Sequence, residues 1–231
     1  MRIGLLLSDF MPDEFRPVAG EYIDMFSGMF EERDVTLVPY DAYRQQLPTT
    51  ADECNAYIIS GSRSAVYQGD RWISDLRTFI RAVVAEDVPM FGVCFGLQAM
   101  AEALGGTVEE FDGGWGGGVQ TMRVSQQRPW MIEKAETVSL IMSHQDQVIA
   151  LPERAVRLGS SPHCKNFLVE FTPNHVGIQG HPEFTAPFAE AIYDSYRTTR
   201  GQAADEAITS LDRPTDSAVV VDWIQELLNP R

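Results

Sequence analysis

Residues 89–106 read PMFGVCFGLQAMAEALGG, and this stretch decides the fold. The apolar run at 90–93 predicts a short strand, and apolar positions at helical spacing from 97 to 104 predict a helix that two glycines end. Cys94 lies at the turn between the two, with a glycine two residues before it and another two residues after it. The stretch therefore predicts a strand, a sharp turn that carries a thiol, and a helix.

Cys94 has the setting of a reactive cysteine. Gly92 and Gly96 permit a strained turn and leave no side chain to block a substrate, which is the logic of a nucleophile elbow with Cys in place of Ser. The sulfur would lie near a helix N-terminus, whose free N–H groups and dipole favour the thiolate. The alternative is a small hydrophobic residue packed in a turn. The complete strand and helix around Cys94 favour the reactive thiol.

Composition limits the classes of function. The chain has 231 residues, 44% of them hydrophobic, and a formal net charge of -15, so it can bury a full core while presenting an acidic surface. We expect no nucleic-acid partner. The apolar run at 3–7 is too short for a signal peptide or a membrane span, and three scattered cysteines do not form a disulfide framework. These features predict a cytoplasmic protein with no membrane association.

The first half of the chain alternates strands and helices. Strands are predicted at 2–7, 35–38, 56–59 and 90–93, and helices at 17–32, 72–87 and 95–104. This alternation predicts an α/β fold with a mostly parallel central sheet and helices on both faces. Ligands in such sheets gather at the carboxyl ends of the strands. Both the SGS loop at 60–62 and Cys94 follow strands, so both are expected at that edge.

The second half changes character. Short strand-like runs at 107–111, 119–124, 138–142, 156–160, 167–171 and 176–179 predict a small antiparallel extension of the fold. Helical spacing returns at 187–196, residues 200–216 are polar, and 219–228 predicts a last helix. We expect one domain over 1–231, with a core at 1–195 and a C-terminal helical extension at 196–231.

A catalytic thiol needs a base, and two of the four histidines qualify. His181 follows a predicted strand, and Glu183 two residues later could orient its ring, because residues i and i+2 of an extended segment point the same way. His144, with Asp146 in the same relation, is the competing base.

The other two histidines lack such a setting. His163 and His175 are interpreted as exposed loop residues. His163 and Cys164 are adjacent, but no second pair completes a zinc site, so neither a metal nor a cofactor is expected.

Three motifs in order resemble the class I glutamine amidotransferases, which use a Cys-His-Glu triad and include the amidotransferase part of GMP synthetase. They are GVCFGLQ at 92–98, SHQDQV at 143–148 and GHPEF at 180–184, and the resemblance spans about residues 1–195. It implies a flavodoxin-like sheet, with Cys94 as nucleophile, His181 as base and Glu183 as its orienting group. It also implies that the substrate pocket is formed by Gln98, Ser143, His144, Gln145 and Asp146.

The chemistry also requires donors for a tetrahedral oxyanion. The N–H of Phe95 is one candidate, and the loop after the third strand offers Gly61 or Ser62. Gly61 as a simple turn glycine is the alternative. Many class I relatives carry a glycine and a proline where this chain has Ser62 and Arg63, so its loop departs from the family pattern.

The resemblance implies that the chain hydrolyses glutamine and delivers ammonia to an acceptor. Residues after 195 leave no room for a synthetase, so a separate synthetase subunit is one expectation. The alternative is a stand-alone gamma-glutamyl peptidase, because the segment at 61–73 is similar to that group. A third possibility is a catalytically silent regulatory protein. The glycine-rich segment DGGWGGG at 112–118 lacks phosphate-loop spacing, and we interpret Trp115 within it as a lid or a partner contact.

Overall fold

The computed structural model describes residues 1–31 and 33–229. Within these ranges nine strands form one sheet and two form a separate ribbon. The strands are Arg2–Leu6 (β1), Thr36–Tyr40 (β2), Ala56–Ile59 (β3), Met90–Val93 (β4), Thr107–Glu110 (β5), Gly116–Val124 (β6), Thr137–His144 (β7), Asp146–Ala150 (β8), Val156–Ser160 (β9), Leu168–Thr172 (β10) and His175–Ile178 (β11).

The sheet combines a parallel half and an antiparallel half. Its order is β2-β1-β3-β4-β11-β10-β9-β6-β7, with parallel pairing from β2 to β11 and antiparallel pairing from β11 to β7. Strands β5 and β8 pair as the antiparallel ribbon. The predicted α/β class is confirmed. The antiparallel extension continues the central sheet itself.

The helices flank this sheet. They are Arg16–Ala19 (α1), Tyr22–Met29 (α2), Arg71–Ala85 (α3), Phe95–Ala103 (α4), Ala186–Ser195 (α5), Arg197–Arg200 (α6), Gln202–Ser210 (α7) and Ser217–Leu228 (α8). The single helix predicted at 17–32 is wrong in one respect, because Gly20 has a φ of 70° and separates α1 from α2. The predicted end of that helix, Glu32, lies outside the described residues.

Alternation along the parallel strands produces two cores, one on each face of the sheet. One face packs against α2 and α8 and the other against α3 and α4. Successive side chains of a strand point to opposite faces, so neighbours in sequence divide between the cores. The first face takes Ile3, Leu5, Ile58 and Phe91, and the second takes Leu6, Tyr57, Ile59 and Met90. In the described part of the chain, no helix combines the length and the apolar character needed to cross a membrane.

The order of the strands brings three loops together. Strands β3, β4 and β11 are parallel neighbours, so their carboxyl ends lie side by side at one edge of the sheet. The loop at 60–64 follows β3, Cys94 follows β4, and His181 follows β11. An isolated antiparallel β-bridge between Ile141 and His181 brings β7 next to these three loops.

Candidate active site

Cys94 is the turn between β4 and α4, and the strain of the turn falls on the cysteine itself. Its φ and ψ are 52° and -103°, a region that side chains rarely adopt. The glycines act through close approach: a Cβ at Gly92 would lie 2.5 Å from the Gly96 carbonyl carbon, and one at Gly96 would lie 2.5 Å from the Ile59 oxygen. Packing against backbone therefore explains both glycines.

A buried amide contacts the thiol. Cys94 is 6% exposed, and Nε2 of the wholly buried Gln179 donates to its Sγ at 3.4 Å. Gln179 accepts in turn from Nε2 of Gln98 at 3.3 Å, and the same nitrogen of Gln98 donates to the carbonyl of Asp146 at 2.9 Å. Gln98 thus supports the amide beside the thiol. Gln179 is not among the predicted site residues, although it stands two residues before His181.

His181 and Glu183 form a buried pair next to Cys94. The imidazole Nδ1 lies 2.7 Å from Oε1 of Glu183, and the ring stacks on Phe184 at 3.9 Å between centroids. Burial alone lowers the pKa of His181, but the Glu183 carboxylate and the neighbouring Cys94 sulfur raise it, and the net direction is upward. Among the described residues Nε2 has no hydrogen-bond partner, so it is free to exchange a proton with the thiol or a substrate.

Gly61 lies against both groups. A Cβ built on Gly61 would be 3.1 Å from Cε1 of His181 and 3.7 Å from Cβ of Cys94. A side chain here would crowd the space beside the thiol and the imidazole. The close approach of His181 therefore explains this glycine. Gly61 is not among the described glycines with a positive φ, so its backbone angles do not require glycine.

His144 occupies a different position from His181. It is 5% exposed, and burial lowers its pKa to about 3, so the ring is neutral. Its Nδ1 lies 3.1 Å from the backbone oxygen of Asp146, while the Asp146 carboxylate accepts from Tyr67. Glu183 contacts the imidazole of His181 through its carboxylate, as expected. His144 instead contacts the backbone carbonyl of Asp146, so the expected pairing with the Asp146 carboxylate is wrong.

The expected exposure of the two remaining histidines is wrong. His175 is wholly buried in β11, where Nε2 lies 2.9 Å from the carbonyl of Val88. His163 is in a loop, as expected, but it is half-buried between Phe111 and His144. Both interpretations failed for one reason: a polar neighbourhood in sequence does not reveal which strand or loop packs over it. Among the described residues, no three His, Cys, Asp or Glu side chains are grouped to hold a metal ion.

One cavity of about 360 Å³ unites the predicted residues, a size typical of small-molecule sites. Its lining includes every predicted site residue except Phe95: Gly61, Ser62, Cys94, Gln98, Ser143, His144, Gln145, Asp146, His181 and Glu183. The Phe95 side chain is buried against Trp72 instead. Its backbone N–H is at the first position of α4, where no intrahelical acceptor exists.

The structure adds three sets of contacts at the cavity, one of which involves Trp115, the residue interpreted from sequence as a lid or a partner contact. Arg63 anchors the loop after β3 by donating to Asp9 from its backbone N–H at 2.9 Å and from its guanidinium at 2.7 Å. Arg200 lies over the Trp115 ring at 5.9 Å and donates to Oε1 of Gln145 at 2.8 Å. Trp115 itself packs edge-on against Tyr193 and Tyr196. No local pattern signals these contacts, because each joins residues more than fifty positions apart.

The family model for class-I glutamine amidotransferases matches residues 26–192, more than two thirds of the chain. The chain therefore belongs to the class-I glutamine amidotransferases. This places it among cysteine-dependent enzymes of glutamine amide hydrolysis, as the three motifs predicted.

Individual relatives differ in how much of their length is matched. Gamma-glutamyl peptidase 3 of Arabidopsis thaliana is 23% identical over 222 residues, which cover 91% of this chain and 89% of that protein. A GMP synthase of Neisseria meningitidis is 32% identical over 142 residues, but these cover 58% of this chain and 26% of that enzyme. The crystal structure of a glutamine amidotransferase from Thermotoga maritima superimposes with a TM-score of 0.81 at 17% identity, covering 100% of this chain and 99% of that one. This last likeness supports the fold.

Proposed function

We propose that the chain hydrolyses the side-chain amide of glutamine through a glutamyl thioester on Cys94. The observation that carries the proposal is the meeting of Cys94, His181 and Glu183 at one cavity, with the imidazole held by a buried carboxylate. A thiol, a base within reach and a group that orients the base are the parts that nucleophilic acyl transfer requires.

The reaction proceeds in two stages. Cys94 passes its thiol proton to Nε2 of His181 as Sγ bonds to the amide carbon. The oxyanion is met by backbone N–H groups, for which Phe95 and Gly61 or Ser62 are our candidates. No backbone hydrogen bond between described residues is donated by these three groups. His181 then protonates the nitrogen as the C–N bond breaks, which releases ammonia. A water molecule, deprotonated by the same imidazole, attacks the thioester to give glutamate and free Cys94.

The ammonia needs an acceptor. A separate synthetase subunit that docks over the cavity would prevent its loss to solvent, and we propose such a partner for the amidotransferase activity. We also place the enzyme in the reducing cytosol, because Cys54, Cys94 and Cys164 are free thiols.

The test is release of glutamate from glutamine by the purified chain. Cys94→Ser should reduce the rate by at least about 1,000-fold, because the nucleophile is lost. Glu183→Gln should reduce kcat by about 100-fold or more, because the imidazole loses its orienting carboxylate. Cys54→Ala is the control, since Cys54 is a buried thiol that does not line the cavity. Unchanged turnover in Cys94→Ser would refute the thiol mechanism.

A second candidate is hydrolysis of gamma-glutamyl amides whose leaving group is a larger amine. The match to gamma-glutamyl peptidase 3 over nine tenths of the chain favours it. The same thioester forms, and an amine leaves in place of ammonia. Comparison of kcat/KM for glutamine and for gamma-glutamyl dipeptides distinguishes the two. If no gamma-glutamyl compound yields glutamate and no electrophilic glutamine analogue labels Cys94, the chain is the silent regulatory protein of the third alternative.

A further inference from the structure

The cavity extends beyond the catalytic residues to a cationic patch. This patch consists of Trp115, Tyr196 and Arg200, all of which line the same cavity as Cys94. The guanidinium lies over the indole at 5.9 Å, and the indole packs on the Tyr196 ring at 5.9 Å. When the guanidinium of an arginine stacks on an aromatic ring, its five N–H donors still point outward in the guanidinium plane, where they can bind an anion.

Among the described residues, no carboxylate neutralises the charge of Arg200. Two described arginines line the cavity, and one of them, Arg63, is neutralised by Asp9 through two contacts of its guanidinium. No carboxylate of the described residues lies within ion-pair distance of Arg200, which donates to the neutral Gln145 amide. Three described carboxylates line the cavity: Glu183 pairs with His181, and Glu110 and Asp146 are partners across β5 and β8. In a chain with 33 acidic and 18 basic residues, such an arginine is suited to an anion from outside.

Arg200 is also held in place. Oε1 of Gln145 accepts from the guanidinium at 2.8 Å, while Nε2 of Gln145 donates to the carbonyl of Phe111 at 3.1 Å. The N–H of Phe111 returns a bond to the carbonyl of Gln145 at 3.1 Å. These bonds tie α6 to the turn after β7 and to Phe111, the residue directly before the glycine-rich segment at 112–118. A tethered guanidinium loses less side-chain entropy on binding an anion than a free one.

The position of the patch in the chain indicates its role. The class-I family model matches residues 26–192, so Trp115 lies inside the matched region, whereas Tyr196 and Arg200 follow it. All members of the class must bind a glutamyl group, so residues for that group are expected inside the matched region. Residues beyond it are suited to the part of the reaction that differs between members, which is the group that leaves or accepts nitrogen.

Resting on the proposed function, we propose that Arg200, with Trp115 and Tyr196, forms the leaving-group subsite for a carboxylate. The preferred substrates are then gamma-glutamyl compounds whose amine portion ends in a carboxylate, such as a gamma-glutamyl dipeptide. Sγ of Cys94 attacks the gamma-carbonyl, and the C–N bond breaks. The amino acid that leaves takes its proton from His181 and its orientation from Arg200.

The test compares gamma-glutamyl-glycine with gamma-glutamyl-glycinamide, which differ in the carboxylate. The wild-type enzyme should prefer the first substrate, and Arg200→Gln should lower the kcat/KM ratio between them by about tenfold or more, as for a lost charge-assisted hydrogen bond. Arg200→Lys should retain part of the ratio. Raising the ionic strength should reduce the wild-type preference, because Arg200 is exposed.

The matched control is Arg197→Gln, one turn earlier in α6. Arg197 pairs with Asp194 and Asp205 and does not line the cavity, so this variant should keep the wild-type ratio. Equal losses on both dipeptides and on glutamine in Arg200→Gln would overturn the proposal, as would a wild-type enzyme indifferent to the carboxylate. If glutamine is hydrolysed through Cys94 but neither dipeptide is cleaved, the subsite fails and the proposed function stands. If no substrate yields glutamate, the proposed function fails as well.

Discussion

Gln179 shows how much of the site depends on a neutral side chain. Its amide is wholly buried, donates to Sγ of Cys94 at 3.4 Å, and accepts from Gln98 at 3.3 Å. The amide holds Sγ through this bond and is itself held by Gln98, so it fixes where the nucleophile lies in the cavity. Gln179 is thus a positioning residue that acts on the nucleophile through one hydrogen bond.

We expect Gln179→Met to lower kcat by about tenfold, because the sulfur loses a donor of about 1.5 kcal/mol and the shape of the side chain is retained. Alkylation of Cys94 by iodoacetamide at a fixed neutral pH should slow in parallel. KM for glutamine should change less than kcat. Because a loss of folded enzyme would also lower the apparent kcat at constant KM, kcat is calculated from the concentration of folded enzyme.

The control for this prediction is Gln147→Met. Gln147 is also a buried amide, and it donates to the carbonyl of His163 at 2.9 Å without contact to the thiol. It should lower stability as much as Gln179→Met while leaving the alkylation rate near the wild-type value. Equal alkylation rates in both variants would contradict the role of Gln179.

At the scale of elements, the site depends on how closely β3, β4 and α4 approach one another. Gly96 in the first turn of α4 packs on the Ile59 backbone, and Gly92 in β4 packs on Gly96. These contacts fix the start of α4 directly behind the thiol. The helix N-terminus is then both a packing interface and the source of the Phe95 N–H.

Gly96→Ala should destabilise the fold by about 2 kcal/mol, because its Cβ would lie 2.5 Å from a backbone oxygen that cannot move aside cheaply. Urea unfolding measures the change. The control is Gly28→Ala in α2, where a Cβ meets nothing within 4 Å. That variant should gain about 0.5–1 kcal/mol from helix propensity. Similar stabilities for the two variants would contradict the packing argument.

Most elements could be predicted from local patterns, since buried strands and amphipathic helices leave their periods in the sequence. β3 and β4 were predicted with their observed bounds, Ala56–Ile59 and Met90–Val93. The break at Gly20 was missed because apolar spacing continues across it. β8 was not predicted as a strand, because SHQDQV reads as a polar motif until its pairing with β5 is known.

The site was predictable only in part, for a related reason. Cys94, His181 and Glu183 stand in short motifs at strand ends, which topology brings together. Arg200 has no motif, and its relation to Gln145 and Trp115 depends on how α6 folds back over the cavity. Contacts between distant segments of this kind leave no local signal.

Over the whole molecule, the buried histidines His144 and His181 contribute to the pH dependence of stability in opposite directions. Burial lowers the pKa of His144 to about 3, so between that value and 6.5 the unfolded chain binds more protons than the folded chain. Stability should therefore fall as the pH drops from 6.5 towards 3. The raised pKa of His181 acts in the other direction: its contribution is complete below 6.5 and is lost as the pH rises through the folded value.

His144→Asn tests the acidic side of this dependence. Without a histidine to protonate at position 144, the loss of unfolding free energy between pH 6.5 and pH 3 should be smaller by a few kcal/mol, on the order of the linkage for a shift of this size. Urea unfolding at several pH values measures the slope. A variant as acid-sensitive as the wild type would show that His144 is not kept neutral by burial. His163→Asn, at a half-buried site, should change the slope less.

The backbone angles of Cys94 make the residue needed for turnover a source of lower thermal stability. A residue with a side chain at φ 52° and ψ -103° costs about 1–3 kcal/mol, and glycine avoids that cost. Cys94→Gly should therefore be more resistant to heat than Cys94→Ala, which keeps the strain, although both lack the thiol. A library of variants selected only for resistance to heat should therefore accumulate glycine at position 94, and those variants would lack activity. Only continued demand for catalysis keeps a cysteine there.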